Sequence, residues 1–306
     1  MQTENRGLSR SQWNLVFLIL AVAFASILFR ILVVKHFEHT SLLFIGIPAA
    51  LAVVVAFAPK AKTVTGSIVR AMTLALLIAG IFLGEGFICI VMAAPLFYLV
   101  GVIVGQVIDS ARRANKLTTM SCLLLLGLLP MSFEGTHPKL SLARDESVTV
   151  ERVVHAPATE VEQALAHSPR LGAPLPLYLR MGFPQPLETW GDGLTPGSRR
   201  TIHFSGSEAG HSGELVMEVG AYSPGYARFD AVSDHSHIIH WLSWRSAEVR
   251  WSSIDATHTR VAWTLNFRRR LDPAWYFRPW ERYAVRLAAD YLITTNATPQ
   301  VSTNVR

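Results

Sequence analysis

The hydrophobic positions of this chain change their pattern near residue 134. A helix needs about 20 apolar residues to cross the hydrocarbon core of a bilayer, because its backbone polar groups must be satisfied within the segment. Five apolar runs approach this length, at residues 13–34, 41–58, 68–83, 87–108 and 117–133. The third and fifth are short. The pattern predicts an N-terminal all-α transmembrane bundle of about five helices.

After residue 134 the apolar positions alternate in short runs. Residues 147–154 alternate with a period of two, and 158–167 have helical spacing. Further strands are predicted at 187–190, 199–204, 213–219, 226–232, 237–244, 247–254 and 259–268. A long helix is predicted at 273–294, with Asp272 as its capping residue. Strands at hairpin spacing followed by one long helix predict an α+β domain in which an antiparallel sheet wraps the C-terminal helix.

The predicted last strand and last helix each carry an apolar face. On the strand, alternation places four large residues on one side: Val261, Trp263, Leu265 and Phe267. On the helix, spacings of three or four align a second set: Tyr276, Trp280, Tyr283, Leu287 and Tyr291. These residues either form the core between helix and sheet or face a pocket there, and the pattern leaves both interpretations open.

The charge distribution gives an orientation to the membrane half. Residues 1–134 hold ten basic and five acidic side chains, whereas 135–306 hold eighteen and seventeen. A basic excess in short loops between apolar runs marks the cytoplasmic side of a membrane protein rather than a nucleic-acid surface. With a cytoplasmic N-terminus, five spans place the C-terminal domain on the extracytoplasmic side of a bacterial inner membrane. If 117–133 does not span, that domain is cytoplasmic.

The predicted organisation has four parts: a transmembrane region at 1–134, a linker at 135–146, a folded domain at 147–296 and a disordered tail at 297–306. The lipid bilayer is the predicted partner, and nucleic acid is excluded. Cys89 and Cys122 lie in apolar segments, so no disulfide framework is predicted. The sequence does not indicate an oligomeric state.

The opening of the domain resembles a known superfamily. Residues 148–165 (VTVERVVHAPATEVEQAL) are similar to the strand, Ala-Pro turn and short helix that open START-like or SRPBCC domains, which include the Bet v 1 and polyketide cyclase/dehydrase-type proteins. With the element order, the resemblance covers 146–296. Glu162 stands where that superfamily usually has an aromatic residue. The resemblance implies a helix-grip fold whose cavity, between sheet and C-terminal helix, holds a hydrophobic molecule.

The side chains predicted to contact such a ligand are apolar or aromatic, since Tyr and Trp combine apolar area with a polar group. They are Trp241, Trp263, Leu265, Trp280, Tyr283 and Leu287.

Catalytic and metal chemistry have weaker signals. His235 and His237 would share a strand face, with His240 on the other, and no further ligand completes a metal site, so neither metal nor cofactor is predicted. No hydrolase, phosphate-binding or dinucleotide motif is present, and only His240 or Tyr283 suggest themselves for proton transfer. The basic run 268–270 either pairs with local acids such as Asp272 and Glu281 or holds lipid headgroups.

Three functions remain from the sequence. The first is a membrane-anchored domain that binds a hydrophobic small molecule or lipid without chemistry. The second is a cyclase/dehydrase-type enzyme acting on a polyketide or aromatic substrate. The third is a protein-docking module whose interior is filled by its own side chains.

Overall fold

The computed structural model describes residues 61–82, 87–114, 126–127, 133–206 and 212–299. The chain divides into two compact units, Met1–Ser132 and Phe133–Arg306, which are described separately below.

Two helices pack together in the described part of the first unit. They are α1 (Val64–Phe82) and α2 (Phe87–Ala114). Gly105 allows the close approach, because a Cβ there would lie 2.5 Å from Thr65 Cα. Asp109 of α2 then accepts hydrogen bonds from the first N–H groups of α1, at 2.8 Å from Val64 and 3.0 Å from Thr65. The Asp109 carboxylate thus satisfies backbone donors that the helix itself leaves unpaired.

The described residues bear on two of the five predicted spans. The run 87–108 lies in α2, of which Ile90–Arg113 is long and apolar enough to cross a membrane. The run 68–83 lies largely in α1, whose apolar part, Val64–Ala79, is shorter than that test requires. The runs 13–34 and 41–58, and almost all of 117–133, fall outside the described residues. Within the described part, one candidate span therefore stands where two were predicted.

In the described residues of the second unit, a short 3₁₀ helix, Pro138–Leu140, precedes seven strands and three α-helices. In chain order they are β1 (Asp145–Val154), α3 (Ala158–Ala166), α4 (Leu177–Arg180), β2 (Pro186–Trp190), β3 (Arg199–Phe204), β4 (Gly213–Ser223), β5 (Tyr226–Asp234), β6 (Leu242–Ser253), β7 (Thr259–Arg269) and α5 (Ala274–Leu292).

All seven strands join one antiparallel sheet in the order β1-β7-β6-β5-β4-β3-β2. Helix α5 packs against β1 and β7, while α3 packs against β6 and the turn that follows α5. The buried core lies between the sheet and these helices and includes Val161, Leu165, Trp263, Phe267 and Val285. This is a helix-grip arrangement, so the predicted antiparallel sheet and long C-terminal helix are confirmed.

One predicted strand is wrong. Residues His237–His240 form a 3₁₀ helix rather than the start of a strand, and Leu242 begins β6, which runs without a break to Ser253. A change in register between Trp244 and Ser246 keeps β6 paired with β7 across this point. Because of the 3₁₀ turn, His235 and His237 do not share a strand face.

The start and end of α5 also differ from the prediction. The helix begins at Ala274, and its cap is distant in sequence: Glu134 Oε1 accepts the Ala274 N–H at 3.0 Å. Asp272 instead pairs with Arg144. At the other end, a π-helical turn, Ile293–Ala297, follows the helix, and Ala297, predicted to open the tail, is fully buried.

Two sets of ion pairs fasten α5 to β1. Glu146 of β1 lies 2.6 Å from both Arg278 and Arg282 of α5. Further along, Arg152 donates two hydrogen bonds, at 2.6 and 3.0 Å, to the carboxylate of Asp290. These contacts fix the side of α5 that faces the sheet.

Candidate functional site

The inner face of β7 is apolar for most of its length and ends in a charge. Val261, Trp263, Leu265 and Phe267 are almost completely buried on this face, as alternation predicts. The next inward position is Arg269, whose side chain is 0% exposed. The interior between sheet and helix therefore has an apolar wall and a cationic end.

The inner face of α5 supplies the opposite charge. Its buried residues are Ala274, Glu281, Val285, Ala289 and, near its end, Tyr291, and Glu281 is the one acid among them. Small side chains let the helix approach a sheet surface already occupied by large rings. Glu281 is 4% exposed, so the fold holds a carboxyl group inside the grip.

We call Trp244, Arg269, Asp272 and Glu281 the polar end of the grip. Trp244 on β6 lies opposite Phe267, with the ring centroids 6.3 Å apart. Arg269 Nη1 bonds to the Leu271 carbonyl at 2.7 Å and lies 3.6 Å from Asp272 Oδ1. No ion pair within 4.0 Å joins Arg269 to Glu281 among the contacts of the described residues. Arg269 therefore pairs with Asp272 but not with Glu281, and Arg269 and Glu281 each keep side-chain atoms without a hydrogen bond.

Polar atoms of this end lack hydrogen bonds. In the described part of the chain, ten buried side-chain nitrogen and oxygen atoms have no hydrogen-bond partner. Six belong to the polar end: Trp244 Nε1, Arg269 Nε and Nη2, Asp272 Oδ1, and Glu281 Oε1 and Oε2. A seventh, Trp263 Nε1, lies further along the same inner face. Since nine in ten or more buried polar groups are hydrogen-bonded, such a concentration calls for a partner.

The Glu281 carboxyl is poised to exchange a proton near neutral pH. Burial raises its pKa to about 7, against the lowering effect of the positive charge of Arg269. The nearby backbone N–H groups of Leu271 and Arg270 also lower the pKa, although neither reaches hydrogen-bond geometry, while the negative charge of Asp272 raises it. At neutral pH the group therefore occurs both as a hydrogen-bond acceptor and as a donor.

Arg200 shows what a buried structural arginine looks like in the same domain. It donates to the carbonyl oxygens of Leu165, in the last turn of α3, and of Gly193, the latter at 3.1 Å. Its guanidinium also lies 4.6 Å from the Phe229 ring centroid, and burial lowers its pKa to about 10. Arg200 thus caps a helix end and leaves only its Nε without a hydrogen bond, whereas Arg269 leaves both Nε and Nη2 unbonded.

The predicted ligand contacts fall into separate places. Trp263 and Leu265 line the inner face of β7, and Leu287 is half-buried on α5. Trp280 and Tyr283 lie on the outer face of α5, 37% and 50% exposed. The aromatic stripe of α5 thus turns partly outward, because Glu281, Val285 and Ala289 occupy the side against the sheet.

Trp241, Tyr283 and His240 nevertheless belong to one row of rings. Tyr283 contacts Tyr178 of α4, which contacts Phe183, and Phe183 contacts Trp241, with centroid separations of 5.1 to 5.3 Å. The row continues from Trp241 to His237 and then His240. Burial, and secondarily Tyr283, raise the pKa of Tyr178 to about 12, so this phenol stays protonated at neutral pH.

The histidine cluster forms no metal site in the described residues, and the three arginines of the basic run 268–270 differ in burial. His237 and His240 have ring centroids 4.5 Å apart, but the described residues contain no group of three or more His, Cys, Asp or Glu side chains that could hold a metal ion. In the basic run, Arg268 and Arg270 are exposed and Arg270 donates to Ser243 at 2.8 Å. Arg269 alone of the three turns inward.

An open groove lies on the outer side of α3, away from the polar end. Its volume is about 490 Å³, and its lining includes Thr159, Glu162, Gln163, Leu194, Thr195 and Tyr222. The Tyr222 hydroxyl donates to Glu162 across the groove, and that bond raises the pKa of Tyr222. Glu162, the departure from the superfamily pattern, therefore faces solvent and not the grip.

Arg269 and Glu281 were not predicted as site residues, although both leave a signal in the sequence. Continuing the alternation of Val261 to Phe267 by one more step puts Arg269 on the inner face. Glu281 is an acid inside the small-residue stripe that runs from Ala274 to Ala289. A charge at an apolar position of either element indicates an interior polar site.

Comparisons with known proteins give distant structural likenesses. No protein-family model matches the chain, and no curated protein matches it. Similar solved structures include a protein from Thermus thermophilus with 14% identity and a TM-score of 0.33, covering 49% of this chain and 92% of that one.

Two further structures are similar to about half of the chain. The Zhui aromatase/cyclase from Streptomyces sp. R1128 has 19% identity and a TM-score of 0.33, covering 48% of this chain and 89% of that one. Norcoclaurine synthase from Thalictrum flavum, in complex with dopamine and hydroxybenzaldehyde, has 13% identity and a TM-score of 0.33, covering 49% and 85%. At these values, the fold assignment rests on the strand order and helix packing themselves.

Proposed function

We propose that this chain is a membrane-attached helix-grip protein that binds an amphipathic small molecule or lipid between its sheet and α5. The apolar part of the ligand lies along the inner face of β7, and its polar group occupies the polar end of the grip. The lipid bilayer beside the anchoring helices is the source or the destination of the ligand.

The group of unbonded polar atoms at the polar end carries this proposal. A buried donor or acceptor without a partner lowers the stability of the fold by about 1–3 kcal/mol. Several such atoms in one place are therefore unfavourable in a purely structural core. Arg269 offers Nε and Nη2 side by side, an arrangement that suits two oxygen atoms of one ligand group. Glu281 adds a group that both donates and accepts near neutral pH.

The apolar wall sets the kind of ligand. From Val261 to Phe267 the inner face of β7 extends about 20 Å at the usual rise of a strand, and Trp263 adds an indole N–H within it. Because Arg269 is fully buried, binding requires α5 to move away from the sheet. An elongated apolar molecule with one polar end satisfies these conditions.

Native mass spectrometry of residues 133–306, with extraction of any bound molecule, tests this function. The fragment holds the whole sheet and its core, and circular dichroism first verifies that it is folded. A recurrent amphipathic species that is lost in Arg269→Met but retained in Arg199→Met, a surface arginine of β3, supports the proposal. A folded fragment that takes up no amphipathic molecule in either form overturns it.

Acid–base catalysis at the same place is the second candidate, favoured by one observation. A catalytic acid or base works best when its pKa lies near the operating pH, and the pKa of Glu281 is about 7. If the bound molecule is a substrate, Glu281→Gln retains binding and abolishes turnover. If it is a ligand that undergoes no reaction, the same variant changes only the binding affinity.

A further inference from the structure

The first half of α5 and the short helix α4 expose an unusual set of apolar side chains. Leu177 is 68% exposed, Trp275 49% and Tyr283 50%, with Met181 and Trp280 each at 37%. The contact of Tyr283 with Tyr178, at 5.1 Å between ring centroids, joins α4 to α5. We call these five exposed residues the outer aromatic surface. It lies on the side of α5 that faces away from the sheet and from the polar end of the grip.

Most charges around this surface are positive, apart from Glu134, which accepts the Ala274 N–H beside Trp275. Residues 168–186, which include α4, contain Arg170 and Arg180 and no acid. In α5, Glu281 is buried, and Arg286 is exposed one turn beyond Tyr283. The next acid along the helix, Asp290, is already paired with Arg152. An occupant of the surface therefore meets aromatic rings flanked by cations.

We propose that the outer aromatic surface docks on an anionic lipid bilayer. Trp and Tyr side chains favour the interface between hydrocarbon and headgroups, where the ring is apolar and its N–H or O–H is hydrated. Arginine binds phosphate through paired N–H groups and is attracted to anionic leaflets. Exposed aromatic rings and arginines occur together on this surface, whereas an uncharged protein partner would not require the arginines.

The chain length makes such docking feasible. The candidate span ends at Arg113, and the second unit begins at Phe133. A connection of this length extends to about 70 Å at most, so the unit stays within reach of the bilayer that holds α2. The docking requires the membrane attachment proposed above, but it does not require a ligand in the grip.

Site-specific photocrosslinking of the full chain in vesicles tests the docking. A benzophenone amino acid replaces Trp280 in one protein and Trp190 in the matched control, since Trp190 on edge strand β2 is also an exposed tryptophan, at 45%. The vesicles contain phosphatidylcholine with or without about one third phosphatidylglycerol. A third protein carries the label at Trp275, so that local disturbance at Trp280 does not decide the outcome.

We expect phospholipid adducts at Trp280 and Trp275, at least fivefold above those at Trp190. The adducts should increase with phosphatidylglycerol, and Arg180→Glu with Arg286→Glu should reduce them severalfold. Equal lipid labelling at all three positions overturns the proposal. So do adducts from Trp280 and Trp275 to a second copy or to residues 61–114, which identify a protein as the occupant. Ligand retention in the mass-spectrometry experiment is a separate readout, so either idea can fail alone.

Discussion

Arg269 and Glu281 are charged side chains that the fold places inside an otherwise apolar space. Each brings a desolvation cost, and their mutual attraction offsets only part of it because they form no direct ion pair among the described contacts. A purely structural pair would be expected to close into a bonded geometry, as Arg152 and Asp290 do on the surface. The open pair is therefore the feature that an interior ligand explains.

The raised pKa of Glu281 predicts that the stability of the wild-type domain relative to Glu281→Gln depends on pH. The carboxyl titrates near 4.5 when unfolded and near 7 in the fold, so the folded chain binds the extra proton between these values. This contribution is fully present below pH 4.5 and is lost as the pH rises through 7, amounting to about 3 kcal/mol. Glu281→Gln should remove this dependence. The check is the difference in thermal stability between wild type and variant from pH 4.5 to 8, and a constant difference would contradict the buried titration.

Removing the charge of Arg269 alone should lower the stability of the domain more than removing the charges of Arg269 and Glu281 together. Arg269→Met leaves the carboxyl groups of Glu281 and Asp272 with less compensation and should destabilise the domain by about 3 kcal/mol. The double change Arg269→Met with Glu281→Leu should recover at least half of that loss. Urea unfolding of residues 133–306 measures both, and strictly additive losses would show that the two groups do not interact.

At the scale of elements, helix α5 presents different chemistry on two sides. Alternation along β7 predicts the inner wall from sequence, because a strand with one buried face has a period of two. The periodicity of α5 is ambiguous, since an aromatic stripe and a small-residue stripe both have helical spacing. Tertiary packing places Val285 and Ala289 on the inner side, because the large rings of β7 already fill the space there, and only Tyr291 of the aromatic stripe is buried.

The ion pairs that fasten α5 to β1 should control ligand exchange. Glu146→Gln removes the carboxylate that holds Arg278 and Arg282, and we expect dissociation of a bound amphipathic fluorophore to accelerate about tenfold. Glu218→Gln on β4 removes a similar pair with Arg199 far from α5 and should leave the rate unchanged. Stopped-flow displacement measures both rates. Equal rates in the two variants would mean that α5 does not open.

The close packing of α1 and α2 gives a prediction for the first unit. Gly105→Val places side-chain atoms against the backbone of Thr65 and should separate the two helices, exposing the N–H groups that Asp109 binds. Gly127→Val is the control, since a Cβ there meets nothing within 4 Å. Limited proteolysis in detergent should cleave the Gly105 variant near residue 64 several times faster. Unchanged cleavage would contradict this packing.

For the whole molecule, the sequence predicts the division into an apolar helical part and an α+β domain, because the two parts differ in hydrophobic period. The 3₁₀ turn at His237–His240 and the cap from Glu134 depend on contacts distant in sequence, which no local pattern carries. The polar end has the same origin: it forms only when β6, β7 and α5 converge. Trp244, Arg269 and Glu281 have no sequence spacing that would link them.

The central claim is that unbonded polar atoms inside the grip receive a ligand, and indole N–H resonances test this most directly. In residues 133–306 labelled with ¹⁵N-tryptophan, loading the delipidated fragment with its extracted ligand should shift the Trp244 and Trp263 signals and slow their exchange with water. Trp190, exposed on the edge strand, should not change. Shifts confined to exposed tryptophans, with Trp244 and Trp263 unaffected, would contradict the account and place the ligand outside the grip.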